Sequence, residues 1–370
     1  MGPAELARRL AGLVVRVASV TVDVGAAPLA DYPGGARPTS TVRIGGVAAT
    51  AGAAADAADA GGETVGCGEN VSFLASEHAA FAIRAAALAP RLAAAGAVSV
   101  ATALDIIVSE VGPPPDRGGA APFGPYARAA LEAALVDLAM RQAGLGLQSL
   151  AGMRAGALRV VRSLAAGPEL GRRIAELRAT GYTGGFKLDV DPGWSRAARQ
   201  ALAAEAGIAI LDFKGRGDAE LVRELADRFP LGVIFEDPPA AEARRRIARD
   251  APIEDLAAAA GAVGRGECLN LKAPRMGGPL AVLQALALVA GAGDATERAP
   301  GSVYLGGMWE VGAGRRQARQ LAALFCPDAP NDLAPHALRT REELAGILPI
   351  ALDGIGFGPA APRAAPEPRL

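Results

Sequence analysis

The sequence predicts an α/β barrel preceded by a smaller α+β unit, and three observations lead there. First, the apolar run Ile208, Ala209, Ile210, Leu211 stops at Asp212, and the run Val233, Ile234, Phe235 stops at Glu236. Continuous apolar strands of this kind belong to parallel sheets that are buried on both faces. Second, the segment between them reads as a helix, with Asp218 as its cap and Leu221, Val222 and Leu225 on one face, so the whole stretch is a strand–helix–strand unit. Third, the same pattern continues, because the next two strand-like segments end at Asp250 and Lys272. In α/β barrels the chemistry sits at the C-terminal ends of the strands, so these four residues are expected at one mouth.

Taken in order, Val14–Val24 and Thr41–Ile44 are rich in β-branched residues and flank the Gly/Pro-rich loop APLADYPGGARPTS; they read as two strands of a small antiparallel sheet. ETVGCGENVSF, from Glu63 to Phe73, offers a third strand, and Glu77–Gly96 reads as a helix. The Pro/Gly-rich stretch Val111–Gly124 marks a long loop or a junction, which places a boundary near Gly124. From Tyr126 the leucines Leu131, Leu135 and Leu138 share one helical face, and Gly144 supplies the stop. Val160–Ala166 and Gly184–Val190 read as barrel strands one and two. Strands three to six end at Asp212, Glu236, Asp250 and Lys272, and Val303–Trp309 is strand seven. No strong strand precedes PNDLAP (Pro330–Pro335), where the eighth is due. The division is therefore residues 1–124, an α+β domain; 125–343, the barrel; and 344–370, a segment returning to the first domain, with a tail expected to be disordered beyond Phe357.

Three carboxylates converging on one mouth repel one another unless a cation lies between them, and an oxygen-only donor set suits Mg²⁺. Asp212, Glu236 and Asp250 are the candidate ligands, and Lys272 faces the same site. The alternative for each acid alone is a helix cap or an ion pair with an arginine. By the strand period of two, Lys187 and Asp189 share a face. Either they form an ion pair that orients Lys187, or Asp189 itself moves a proton. Lys187 and Lys272, on strands two and six, are the candidate catalytic amines and are expected to approach a substrate from opposite sides of the mouth; Lys272 is expected to be the base, with a salt bridge to Glu236 or Asp250 as its other role. Lys214, two residues past Asp212, either binds a substrate anion or is a solvated loop lysine. Glu310 either contacts substrate or a lysine, or caps a helix. GAGRRQAR (Gly312–Arg319) is glycine-rich but lacks the Lys-Ser/Thr of a phosphate loop, so it reads as a strand-to-helix turn.

The motifs GPYARAALEAALVDLAMRQAGLGLQSLAG, FKLDVDPGW, LDFKG, FEDPP, RDAPI, NLKAPRMGG and GGMWEVGAG occur in an order and spacing that resembles the enolase superfamily, from about Val20 to Pro335. The resemblance is to its mandelate racemase/muconate lactonizing type, on the muconate-lactonizing and o-succinylbenzoate-synthase side. It implies a modified TIM (β/α) barrel with an N-terminal α+β capping domain. It also implies Mg²⁺ held by Asp212, Glu236 and Asp250, and abstraction of the α-proton of a small carboxylate substrate through a metal-stabilised enediolate. The outcome would be racemisation or epimerisation, cycloisomerisation or elimination. Members of this type carry K-x-K on strand two, whereas this chain has Lys187-Leu188-Asp189, so Asp189 stands where the second lysine is usual. Substrate contacts are expected from Lys214 and Glu310, and from cap loops near Tyr32, Arg37 and Glu69. With His78 and His336 the only histidines, one in the first domain and one after PNDLAP, a His–Asp dyad on the late strands is not indicated. A non-catalytic binder of an acidic metabolite on the same barrel is the competing reading.

Composition narrows the classes further. A formal charge of −1 over 370 residues gives no electrostatic footprint for nucleic acid or an anionic membrane. Cys67, Cys268 and Cys326 are far apart and in no C-x-x-C spacing, which indicates neither a disulfide framework nor a zinc site. The apolar run Leu10–Val15 is too short for a signal segment, and no stretch is both long and uncharged enough to span a bilayer. A cytoplasmic homo-oligomer acting on a small carboxylate is the expectation.

Overall fold

Seven short strands form one parallel sheet in sequence order: Val161–Leu164, Gly185–Asp189, Ile208–Asp212, Ile234–Glu236, Arg246–Arg249, Cys268–Leu271 and Val303–Leu305. They are barrel strands one to seven. The computed structural model describes residues 1–29, 32–47, 63–111, 124–242, 244–292, 302–350 and 354–358. These fall into two units, one of Met1–Ala7, Met153–Met308 and Ala318–Leu352, the other of Arg8–Gly152, Trp309–Gln317 and Asp353–Leu370. The expected junction is outside the described residues from 112 to 123, as is the tail from 359 onward.

In the first unit, alternation along the strands separates two kinds of residue. Phe186, Leu188, Leu211 and Phe235 join Leu202, Leu221 and Leu225 from the surrounding helices in one apolar cluster, while Lys187 and Asp189 take the other set of positions. Helices Arg196–Ala204, Ala219–Arg228 and Leu256–Gly264 each start at a side-chain cap: Ser195 accepts from the Ala198 N–H at 3.2 Å, Asp218 from Leu221 at 2.8 Å and Asp255 from Ala258 at 2.7 Å.

The eighth position of the barrel differs from the expectation. Asn331 and Asp332, inside PNDLAP itself, occupy it through single parallel bridges, Val160 to Asn331 and Gly306 to Asp332. Here a side chain does the work of strand backbone. The fully buried Asn331 amide accepts from the Leu305 N–H at 2.9 Å and donates to the carbonyls of Arg159 (3.1 Å), Cys326 (2.9 Å) and Ala329 (2.9 Å). A strand pattern is absent from the sequence because two residues close the ring. Beyond it, Ile347–Pro349 pairs antiparallel with Ala157–Arg159.

In the second unit, Ser19–Pro28, Ala36–Val47 and Glu63–Asn70 form the antiparallel sheet, and helix Pro125–Gln142 packs on it. That helix is buried on nearly every side from Ala127 to Gln142, not on a leucine face alone. Alanines allow such close approach, and so do Gly66 and Gly68 opposite. A Cβ on Gly68 would run into the Ala130 carbonyl, and one on Gly66 into the backbone of Ala134 and Leu138. Asp137, fully buried in this helix, accepts from the Cys67 N–H (3.0 Å), the Phe357 N–H (2.9 Å) and Arg141 Nε (3.0 Å). We predict that Gly68→Ala costs about 1–3 kcal/mol through overpacking, measured by urea denaturation. A loss within about 0.5 kcal/mol, the range of ordinary surface substitutions, would contradict the close packing.

Candidate metal centre and active site

Each of barrel strands three and four ends on an acid, and register sets those ends side by side. Asp212 is the partner of Asp189 on one side and of Glu236 on the other. Asp250 follows strand five by one residue, and Lys272 follows strand six. Asp212, Glu236 and Asp250 each present one oxygen within 4.8 Å of the others, and all three are buried. The predicted ligand set therefore comes together.

Lysines thread this cluster. Lys187 Nζ lies 2.5 Å from Glu236, 3.1 Å from Asp212 and 3.6 Å from Asp332. Burial alone would push its ammonium down, but Glu236, Asp212, Asp332 and Asp250 together hold it well above the ordinary lysine value. Glu236 shows the opposite balance: burial, opposed by Lys187 but assisted by Asp212 and Asp250, pushes its carboxyl up to about 8. Asp212 is held down at about 2: Lys187 and Lys214 outweigh the opposing effect of burial. Asp250 lies well below the usual range because Lys272, Lys187 and Arg275 overcome its burial. Such crowding favours a proton or another cation at Glu236.

Two of the three acids, Asp212 and Asp250, each meet two cations. Asp250 receives Lys272 Nζ at 2.8 Å and Arg275 Nη1 at 2.6 Å. Its backbone is fixed as well, since Asp237 accepts from the Asp250 N–H at 3.1 Å and the Ala251 N–H at 2.8 Å. Lys214 contributes its N–H to Asp212 Oδ1 at 3.0 Å, while its Nζ reaches Asp212 Oδ2 at 2.9 Å and Asp189 at 3.1 Å. Lys214 and Asp237 both adopt left-handed backbone (φ +50° and +44°), a conformation that costs a non-glycine residue about 1–3 kcal/mol and concentrates at functional sites. The Lys214 turn folds its side chain back over the strand ends. That is why Asp189 pairs with Lys214, where an ion pair with Lys187 was an expectation. Gly306 leaves room for Lys272, since a Cβ there would lie 2.7 Å from Lys272 Cε.

Five residues of this cluster escaped sequence reasoning: Asp237, Asn270, Arg275, Tyr304 and Asp332. Tyr304 Oη donates to Glu236 Oε2 at 2.5 Å, and Asn270 Nδ2 donates to Glu236 Oε1 at 3.3 Å. Asp237 follows Glu236 directly, and Arg275 sits three residues beyond Lys272, so those two carried a local signal. Tyr304 and Asn270 did not, because within an apolar strand they read as core.

Tyr32 and Glu310 belong to the second unit. Tyr32 meets Trp309 edge-on at 5.7 Å, and Arg37 stacks over its ring at 5.2 Å. Glu310, 1% exposed, accepts Arg315 Nε through its carbonyl at 2.7 Å. The glycine-rich turn after Glu310 is already filled by an anion: Glu69 accepts from the N–H groups of Val311 (2.7 Å), Gly312 (2.9 Å) and Gly314 (3.0 Å).

The three carboxylates suit a hard dication. Their donors are oxygens alone, and Asn270 Oδ1, buried beside Glu236, has no hydrogen-bond partner among the described residues. Asp212, Glu236 and Asp250 would hold the ion.

Comparison with solved structures gives a consistent fold. An unknown member of the enolase superfamily from Enterococcus faecalis is 21% identical, with a TM-score of 0.66 over 93% of this chain and 94% of that one. A dipeptide epimerase from Methylococcus capsulatus, complexed with a Mg ion, is 21% identical, with a TM-score of 0.68 over 94% and 100%. The muconate lactonizing enzyme from Pseudomonas putida is 19% identical, with a TM-score of 0.67 over 93% and 96%. No curated protein matches in sequence. A family model described as "Domain of unknown function (DUF8230) C-terminal domain" matches residues 155–340, half of the chain and nearly all of the barrel. The chain belongs to that family, and its barrel carries the fold of the enolase superfamily.

Proposed function

We propose that this protein is a Mg²⁺-dependent enzyme that removes the α-proton of a small carboxylate substrate. The observation that carries this reading is the set of three buried carboxylates at adjacent strand ends, with the Lys272 ammonium against one of them. A bound dication would offer a substrate carboxylate positive charge where negative charge develops as the α-proton leaves. The residues around it have distinct tasks. Lys187 touches three carboxylates and Lys214 two, whereas Lys272 touches Asp250 alone among the described carboxylates. Lys187 then serves as a fixed internal cation that offsets the acid cluster. Lys272, held by one carboxylate, would act as the neutral amine, its own proton first released to solvent, and then take the α-proton on the Nζ lone pair. Asp250 and Gly306 orient it and give it room.

One lysine so placed supports chemistry on a single face, a lyase or cycloisomerase outcome ahead of racemisation. The test is incubation of the enzyme with Mg²⁺ in D₂O and a library of α-proton-bearing carboxylates, read by mass spectrometry and NMR. We expect deuterium to enter one substrate class with retention of configuration. Exchange with inversion would require a second proton-transfer group, and binding without exchange across the library would make the protein a binder of acidic metabolites.

Asp189 holds Lys214 and has no place on the proton's path in this account. Asp189→Asn should lower turnover while α-proton exchange persists, a split between kcat and exchange rate. Complete loss of exchange would transfer the base to Asp189.

A further inference from the structure

Glu236 is the central ligand of the three, and it is held differently from the other two. Asp212 is oriented by the ammonium groups of Lys187 and Lys214, and Asp250 by Lys272 and Arg275. Those cations fix a carboxylate, but they also compete with a dication for its charge. On Glu236 only Oε1 faces a cation, Lys187 at 2.5 Å, and it is shared with Asn270 Nδ2 at 3.3 Å. Oε2 faces a neutral donor, the Tyr304 phenol, at 2.5 Å. Tyr304 is fully buried on strand seven, and its register partner on strand six is Asn270. Two residues paired across adjacent strands thus reach the two oxygens of one carboxylate on strand four. A phenol spans that distance where a serine or threonine would not. A neutral O–H orients the carboxylate and leaves its negative charge for the metal.

We propose that Tyr304 is a positioning residue of the metal centre, whose phenol fixes the Glu236 carboxylate for ligation and so sets the affinity for the dication. This rests on the metal reading above, and the two can fail separately. Partners of metal ligands typically contribute about 10–100-fold to affinity. The phenol contributes through orientation. Its O–H withdraws some electron density from Glu236, an effect that would act in the opposite direction, so the sign of the change is itself informative.

The experiment is a calorimetric titration of Mn²⁺, repeated with Mg²⁺, into the full chain, the Tyr304→Phe variant and the Tyr182→Phe variant. Tyr182 is the control. Its hydroxyl also makes a hydrogen bond in the same barrel, to the Gly185 carbonyl at 2.7 Å, on a residue that is not one of the three ligands. We expect one ion per chain throughout, affinity lowered about 10–100-fold in Tyr304→Phe, and affinity near wild type in Tyr182→Phe. The electron-spin resonance of bound Mn²⁺ should broaden or shift in Tyr304→Phe alone, reporting an altered ligand field. 4-Aminophenylalanine at position 304 keeps the ring and restores an N–H donor, and should return the affinity toward wild type even if Tyr304→Phe folds poorly. Unchanged or tighter binding in a folded Tyr304→Phe overturns the proposal, as does an equal loss in Tyr182→Phe, or 4-aminophenylalanine binding no better than phenylalanine. Failure of the wild-type chain to bind either ion would overturn the metal reading, and this proposal with it.

Discussion

Replacing Lys272 by alanine should abolish exchange of the substrate α-proton and leave dication binding intact. In the proposed site the lysine would donate no ligand atom to the metal, and its Nζ meets fewer carboxylates than that of Lys187 or Lys214. Loss of a general base costs typically about 10²–10⁴-fold in rate, enough to take exchange below detection over hours for a slow substrate. Two readings check it: deuterium incorporation by NMR, and Mn²⁺ affinity by calorimetry on the same preparation. Asp250 loses one of its two side-chain cations in the variant but keeps Arg275 at 2.6 Å and the backbone anchor from Asp237, so its position is retained. Full exchange activity in Lys272→Ala would remove the lysine from the mechanism.

Glu236→Gln should lose dication binding altogether, beyond the ~10–100-fold that removal of an outer partner costs. The substitution is isosteric, so Tyr304 and Lys187 keep a group to contact, but the central charge is gone. Thermal denaturation provides an independent reading. A ligand at 100 times its dissociation constant adds about 2.7 kcal/mol to stability. Mg²⁺ should raise the wild-type melting temperature and leave that of Glu236→Gln unmoved. An equal rise in both would place the ion elsewhere.

The ligand acids could be read from the sequence because an acid ending an apolar run is a local signal, and three such ends in succession can only converge in a closed parallel sheet. Asp218 as a cap was legible for the same reason. What was not legible depends on distance in the chain. Tyr304 reaches Glu236 across 68 residues, and nothing around it separates a core tyrosine from one that orients a carboxylate. Lys187 looked like a partner for Asp189 two residues away, but the backbone turn at Lys214 claims Asp189, and the barrel interior claims Lys187. The eighth strand gave no pattern because Asn331 replaces strand hydrogen bonds with its own amide. The glycine-rich turn at Gly312 read only as a strand-to-helix turn, yet its N–H groups hold an anion. Its anion, Glu69, comes from more than two hundred residues earlier.

The most direct test of the metal centre is a crystal grown with Mn²⁺ and measured at its anomalous edge. One anomalous peak per chain is expected, contacted by an oxygen from each of Asp212, Glu236 and Asp250, with a Mg²⁺ crystal showing ligand distances of about 2.1 Å at the same place. A peak at any other position, or any one of the three carboxylates turned away from the ion, would contradict the metal assignment.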